Sequence, residues 1–358
     1  MKISFFSPKT QFENIGDVLI NRELISLMSN NSDVVVDLSR SPEGFGREVD
    51  TGSENVRLKS YGFIFFIFYI LYTKLILRKD CYFYLSPGGY FGELGFIAFL
   101  KQLLNNVLLL LFKILGVKII AMGVSYERLG IFYKVILKFR SLLLSKHYVR
   151  DQVSLNYIRS LGFKCNGVLP DLAFNIKEDD KKQPRLNKNA LFSFRVDQCP
   201  IQKKLVKKLI MHLHQTVDSS IDFVFYAQVE RDIDYMKELF SEIRLLDFNS
   251  NRQCQFINQD KSIKNALDTL SKSDLVLSNR LHVLLFAISV NSKVLPFIYK
   301  GYNEKIIGLF SDLGLESKVN NLESFESINI DENVITSKSS EFSQKNKELR
   351  EKFSSIYC

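Results

Sequence analysis

The chain has 358 residues, more than the ~100–200 residues of one typical domain, so two domains are expected. Its composition, 46% hydrophobic and 24% charged, is that of an ordinary globular protein and excludes a disordered chain, a collagen-like repeat and a disulfide scaffold. Forty-eight Lys and Arg against 39 Asp and Glu give a formal charge of +9, which favours anionic partners.

The opening MKISFFSPKT is too polar for a secretory signal and reads as a first strand over Lys2–Phe6. With five widely spaced cysteines (Cys81, Cys165, Cys199, Cys254, Cys358) and no C-x-x-C pair, reduced thiols in the cytoplasm are expected, and no metal site is signalled. Asp17–Ser29 reads as a helix with Val18, Leu19, Leu24 and Leu27 inward, and Asp33–Leu38 as a strand. Val56–Arg150 carries fourteen basic and three acidic residues, a local +11 that leaves about −2 for the rest of the chain. The same stretch holds two strongly apolar runs. Gly62–Tyr72 is eleven residues without a charge, and Phe96–Val124 is interrupted by Lys101, Lys113 and Lys118. A membrane span needs ~20 predominantly apolar residues, so both are excluded as spans. They read either as buried helices of an α/β domain or as amphipathic faces whose lysine rims meet an anionic bilayer.

Cys81–Leu85, Val117–Met122 and His147–Val149 are further strands, so strand and helix alternate as in a parallel sheet. The polar stretch 175–189, with Pro184, reads as an interdomain linker. Beyond it the alternation restarts: strands at Ala190–Val196, Ile221–Ala227, Asp274–Leu277 and Lys293–Ile298, with helices at Ile201–Gln215, Arg231–Phe240 and Arg280–Ser289. Expected domains are therefore 1–174, the linker 175–189, 190–336, and a helical tail 337–358 that packs back on the first domain. Two similar α/β domains facing each other across a cleft is the expected architecture, because open parallel sheets bind ligands at the carboxyl ends of their strands.

The sequence has no G-x-x-x-x-G-K-[ST], G-x-G-x-x-G after a strand, G-x-S-x-G or H-E-x-x-H, so nucleotide hydrolysis of the Walker type, dinucleotide-dependent oxidation, α/β-hydrolase chemistry and zinc proteolysis lose support. His212 and His214 are two apart on a helix and make a poor metal pair, and His147 reads as structural. His282 is different. It lies in Ser278-Asn279-Arg280-Leu281-His282, where an apolar strand hands over to a helix, and there Arg280 can hold an anion while the imidazole moves a proton. Arg195, a single charge ending Phe192-Ser193-Phe194, calls either for an anion or for a salt bridge to Asp197 or Asp171. Asn14-Ile15-Gly16-Asp17 opens the first helix with Asp17 as N-cap, Gly88 and Gly89 follow a strand, and Asp151 and Asp171 put carboxylates at other strand or loop ends.

These blocks resemble the polysaccharide pyruvyltransferase family from Asn14 to about Leu313. They are N-x-G-D at Asn14–Asp17, Gly88-Gly89, G-V-S at Gly123–Ser125, R-D-x-x-S at Arg150–Ser154, D-L-A-F at Asp171–Phe174, S-x-R-L-H-x-x-x-F-A at Ser278–Ala287, and Y-x-x-K at Tyr302–Lys305. The family often has three glycines where this chain has Pro87-Gly88-Gly89. The resemblance implies two Rossmann-like domains in a glycosyltransferase-B-like arrangement and phosphoenolpyruvate as co-substrate, with no cofactor and no metal. It also implies a sugar hydroxyl pair as acceptor and a pyruvate ketal on a cell-surface polysaccharide precursor as product. It implies that Arg195 and Arg280, with Ser278 and Lys305, bind the donor, and that His282 lies against the enolpyruvyl group. Asn14, Gly16, Gly88 and Gly89 would form the acceptor-side loops, and Asp17 or Asp151 would be the general base. Acceptors of such enzymes are often carried on a polyprenyl diphosphate, which would give the basic, apolar segment a role at the inner face of the cell membrane. A nucleotide-sugar glycosyltransferase of the same architecture is the alternative. A nucleic-acid binder is disfavoured, because the aromatics sit in apolar strands rather than among the basic residues.

Overall fold

Short β-branched and aromatic runs separated by amphipathic segments build parallel sheets, since each crossover has room for a helix. The computed structural model describes residues 2–91, 95–126, 129–176, 188–197, 199–246, 252–258, 262–327 and 340–357. Two compact units divide the chain: Met1–Phe12, Asp17–Leu172 and Lys352–Cys358 form the first, and Glu13–Gly16 with Ala173–Glu351 the second. Most of the expected linker, residues 177–187, lies outside the described residues.

The first sheet is built from β1 (Lys2–Phe6), β2 (Asp33–Asp37), β3 (Val56–Lys59), β4 (Asp80–Leu85), β5 (Gly88–Phe91), β6 (Lys118–Tyr126), β7 (Lys146–Val149) and β8 (Gly167–Val168). Its order is β3-β2-β1-β4-β6-β7-β8, with β5 paired to β6 off that path, and every described pairing is parallel. The helices are α1 (Ile15–Ser29), α2 (Phe45–Val49), α3 (Phe63–Leu75), α4 (Phe96–Ile114), α5 (Ile131–Leu143) and α6 (Gln152–Ser160). The chain steps from β1 to β3 in one direction and from β4 onwards in the other. Right-handed crossovers therefore place α3, α4 and α5 on the face opposite α1 and α2. Accordingly Phe66 and Ile70 of α3, Phe112 of α4 and Leu143 of α5 share one core with Phe5 and Ile119.

His147 on β7 is a core histidine, as its sequence context implies. Lys164 O lies 3.0 Å from Nδ1 and the Tyr126 hydroxyl 2.9 Å from Nε2. The neutral ring with its proton on Nδ1 satisfies both partners. Burial pushes its pKa below the usual 6.5, against the opposing hydrogen bond to Lys164. The unfolded chain therefore takes up a proton near pH 6.5 that the fold refuses, and stability is lost as pH falls below that value. Denaturant titrations between pH 7.5 and 5.5 are expected to show a slope of up to about 1.4 kcal/mol per pH unit from this group, absent in His147→Gln.

The second sheet comprises β9 (Asn189–Ser193), β10 (Asp222–Tyr226), β11 (Cys254–Ile257), β12 (Leu275–Ser278), β13 (Lys293–Ile298) and β14 (Asn320–Asn321), all parallel in the order β11-β10-β9-β12-β13-β14. The helices are α7 (Pro200–Thr216), α8 (Ile233–Leu246), α9 (Ile263–Ser271), α10 (Leu281–Ser289), α11 (Glu304–Asp312) and α12 (Ser340–Tyr357). This is the doubly wound order, whose topological switch point falls between β9 and β12. Helix α10 is apolar all round and is buried from Val283 to Ser289, which fixes its first turn at that switch point.

The tail departs from expectation. Asn346 Nδ2 donates to Ser289 O at 3.1 Å and Arg350 Nη2 to the same carbonyl at 3.2 Å, so α12 is tied to the last turn of α10 in the second unit. Only Lys352–Cys358 group with the first unit.

Candidate active site

Carboxyl ends of β9 and β12 meet at the switch point, and three side chains there fix the backbone. Ser278 Oγ donates to Ser193 O at 2.6 Å and accepts from Arg280 N–H at 2.9 Å. Asn279 Oδ1 accepts from Arg195 N–H at 2.6 Å while its Nδ2 donates to Arg195 O at 2.8 Å. Asn303 Nδ2 donates to Asn279 O at 3.3 Å. Ser278 is thus corrected from donor ligand to positioning residue: it is fully buried, and its hydroxyl is spent on the backbone.

The two expected arginines follow these strand ends, and each has a carboxylate partner. Arg195 Nε and Nη2 donate to Asp197 at 2.5 and 3.1 Å, the salt bridge the sequence offered as one option. Arg280 pairs through Nε and Nη2 with Asp232, a residue the sequence reading did not single out. Asp232 is 2% exposed, and burial pushes its carboxyl above the usual range against the pull of Arg280. Arg231 Nη1 lies 3.6 Å from Asp197, and Arg231 and Arg195 both act on the charge of Arg280. Within these ion pairs three guanidiniums face two carboxylates, and neither pair uses Nη1 of Arg195 or Arg280. Gln228, following β10 at the same edge, is buried and its Nε2 has no hydrogen-bond partner. A surplus guanidinium charge and spare N–H donors at a switch point suit an anion with several oxygens.

His282, the second residue of α10, meets the N-x-G loop. Asn14 Oδ1 accepts from Gly16 N–H at 3.1 Å, and Asn14 Nδ2 lies 3.5 Å from His282 Nδ1. Asn14 therefore caps α1, in place of the expected Asp17, because the helix begins at Ile15 and an N-cap side chain reaches the second or third N–H beyond it. A Cβ on Gly16 would sit 2.2, 2.4 and 2.6 Å from His282 Cγ, Nδ1 and Cβ, so only glycine lets the imidazole lie against this turn. This contact is why Glu13–Gly16 group with the second unit, although the sequence reading placed residues 1–174 together.

Asp17 is buried in the first turn of α1, one residue beyond Gly16. Asp151 is committed to structure: its Oδ1 accepts from Ser154 N–H at 2.6 Å as the N-cap of α6, and its Oδ2 is 3.7 Å from Arg150 Nε, which weakens its case as a base. Arg150 Nη1 in turn donates to Asp171 at 3.2 Å. Gly88 has φ +97°, which an L side chain resists, and it opens the short strand β5, with Gly89 exposed beside it. Lys305 is exposed on α11. Among the described residues no three His, Cys, Asp or Glu side chains gather as metal ligands would.

The profile of the polysaccharide pyruvyl transferase family matches residues 14–301, from the N-x-G loop to the end of β13 and just beyond. No curated protein sequence matches the chain significantly. Among solved structures, Anabaena Alr3699/HepE in complex with UDP-glucose is similar with a TM-score of 0.57 at 13% identity, covering 99% of both chains. The UDP-GlcNAc 2-epimerase of Methanocaldococcus jannaschii gives 0.53 at 12% identity, covering 99% of this chain and 100% of that one. S. aureus MnaA with UDP gives 0.53 at 12% identity, covering 97% and 90%. At these identities the likeness concerns the fold, which is glycosyltransferase-B-like with two Rossmann-like halves.

Proposed function

Because the chain belongs to the polysaccharide pyruvyl transferase family, we propose that it transfers pyruvate from phosphoenolpyruvate onto two hydroxyls of a sugar in a cell-surface polysaccharide precursor, closing a pyruvate ketal. The observation that carries this reading is the meeting of His282, seated on Gly16 and Asn14, with the arginine-rich edge of β9 and β12. Arg195 and Arg280 hold the donor's phosphate and carboxylate with the N–H groups their aspartates leave over. The imidazolium of His282 delivers a proton to C3, which makes C2 electrophilic. One acceptor hydroxyl bonds to C2 and gives its proton to a base, for which Asp17 is the candidate. The C2–O bond to phosphate then breaks, the second hydroxyl closes the ring on C2, and its proton leaves with the phosphate. The arginines stabilise that departing dianion. No resident cofactor or metal is needed for this sequence, and nucleic acid has no part in it. The acceptor is a polyprenyl-diphosphate-linked sugar presented at the cytoplasmic side of the membrane.

A ligand that binds only the folded state raises its stability, by about 2.7 kcal/mol at a hundred times its dissociation constant. Phosphoenolpyruvate is therefore expected to raise the thermal midpoint of the wild-type chain, and Arg195→Ala to lose most of that shift. The structural neighbours bound to UDP or UDP-glucose favour one competing reading, a nucleotide-sugar glycosyltransferase. Stabilisation by UDP or a UDP-sugar, with none by phosphoenolpyruvate, would establish that reading instead.

A further inference from the structure

Helix α4 turns apolar residues outward and buries polar ones beside its apolar core residues Leu109 and Phe112. Its inward side carries Gln102 and Asn106, whose carbonyl oxygens accept from Arg140 Nη2 and Nε at 2.8 Å each, while Asn106 Nδ2 donates to Ile136 O at 3.0 Å. Arg140 is itself buried, and burial pulls its pKa down to about 10. Its outward side is an apolar stripe: Ile97, Leu100, Leu104, Val107, Leu111 and Ile114 recur at steps of three and four, and Ile97, Leu104 and Ile114 are 70, 69 and 72% exposed. On the neighbouring helices of the same sheet face, Ile64, Phe65 and Phe68 of α3 and Ile131, Phe132 and Val135 of α5 are exposed as well. So many exposed large apolar side chains on the helices of one sheet face mark an interaction surface.

The charges identify the occupant. Across α3, α4 and α5 there is no Asp or Glu, whereas Lys74, Lys101, Lys113, Lys134 and Lys138 punctuate the apolar residues, with Lys101, Lys113 and Lys138 exposed. A second copy docking by two-fold symmetry would set this patch against itself, lysine towards lysine, with no carboxylate in the patch to answer them. An anionic lipid surface supplies both hydrocarbon for the stripe and phosphates for the ammonium groups. Helix α4 is also the one helix among the described residues long and apolar enough to cross a bilayer. Its inner side, however, is held by Leu109 and Phe112 in the sheet core and by the Arg140 network, so it can lie in the interface but not span.

We propose that the outer faces of α3, α4 and α5 form a membrane-docking surface for an anionic bilayer, seated by the α4 stripe and oriented by its lysines. The surface lies within the first unit and does not rest on the chemistry proposed above.

Sedimentation with vesicles tests it. The full chain is expected to bind vesicles containing phosphatidylglycerol at low salt, and to bind pure phosphatidylcholine vesicles much more weakly. Ile97→Glu with Leu104→Glu, two exposed positions whose replacement leaves the core intact, should weaken binding at least about tenfold. Lys101→Gln and Lys113→Gln should each weaken it by about fivefold. Circular dichroism and thermal midpoints confirm folding, and the lysine variants keep the test open if the glutamates disturb it. Sedimentation equilibrium without lipid supplies the competing outcome. A dimer that the glutamate pair dissociates, with no vesicle binding by wild type, overturns the proposal and gives the face to a second copy. Equal binding to both lipids, or binding untouched by all four substitutions, overturns it too.

Discussion

Replacing Gly16 by alanine is expected to cost transfer activity at least about a hundredfold while the chain stays folded. The added Cβ would lie 2.2–2.6 Å from three atoms of His282, and two of these are its Cβ and Cγ, close to the backbone, which cannot swing aside as a flexible chain end could. Either the imidazole or the Asn14–Gly16 turn must move by about an ångström, a displacement that at a reacting centre costs on the order of 10²-fold. Stability runs the other way in part, since alanine in α1 gains up to about 1 kcal/mol of helix propensity over glycine. His282→Asn is the reference, expected to lose roughly 10²–10⁴-fold in kcat as the proposed proton donor is removed. Both variants should keep the thermal shift with phosphoenolpyruvate, because the arginines proposed to bind it are untouched. A Gly16→Ala enzyme with wild-type kcat would show that the ring's position against this turn is immaterial to the reaction.

That contact also shows where sequence reading reaches its limit. The motif around Asn14 and Gly16 was legible as a strand-to-helix turn, and Arg280 and His282 as residues at the end of a strand, because both follow from local pattern. That one lies against the other was not, since Asn14 and His282 are 268 residues apart and nothing local ties them. Asp232 was missed for a related reason. Asp232 reads as the second residue of a helix over Arg231–Phe240, and only the pairing of β9 with both β10 and β12 brings it to Arg280. Its one sequence signal was its place just after the apolar run Asp222–Tyr226, at the same sheet edge. Among the strands, the central ones announce themselves by continuous apolar runs such as Val34-Val35-Val36 and Leu275-Val276-Leu277, buried on both faces. The edge strands β3 and β11, VRLK and CQFI, are only half buried and carry no such run, so they went unread. The apolar segments 62–72 and 96–124 offered core or surface as alternatives, and the helices there have a face in each: Phe66, Ile70 and Thr73 of α3 are buried, whereas Ile64, Phe65 and Phe68 are exposed.

Arg280→Ala is expected to destabilise the second unit by about 3–5 kcal/mol, the usual cost of breaking a buried ion pair from one side. The reason is Asp232. With the guanidinium gone, a carboxylate 2% exposed keeps its desolvation penalty and loses its counter-charge. The pH dependence gives the cause away. Burial already raises the Asp232 pKa above 3.8, and removing Arg280 raises it further, so the folded variant holds a proton that the unfolded chain releases. A group raised in the folded state contributes stability that is present at low pH and lost as pH climbs through the folded value. Urea titrations should therefore find the deficit of Arg280→Ala smaller at pH 5 than at pH 8. Arg280→Met with Asp232→Leu should recover most of the lost stability, because an apolar pair of similar volume in place of a buried ion pair is often neutral or better. Activity should not recover with it, since the guanidinium proposed to hold the donor's phosphate would still be absent. Loss of function in Arg280→Ala alone would be ambiguous between unfolding and lost binding, and the double variant separates the two. A double variant that is stable and fully active would mean that the Arg280–Asp232 pair serves the fold and the anion is held by Arg195 and Arg231 instead.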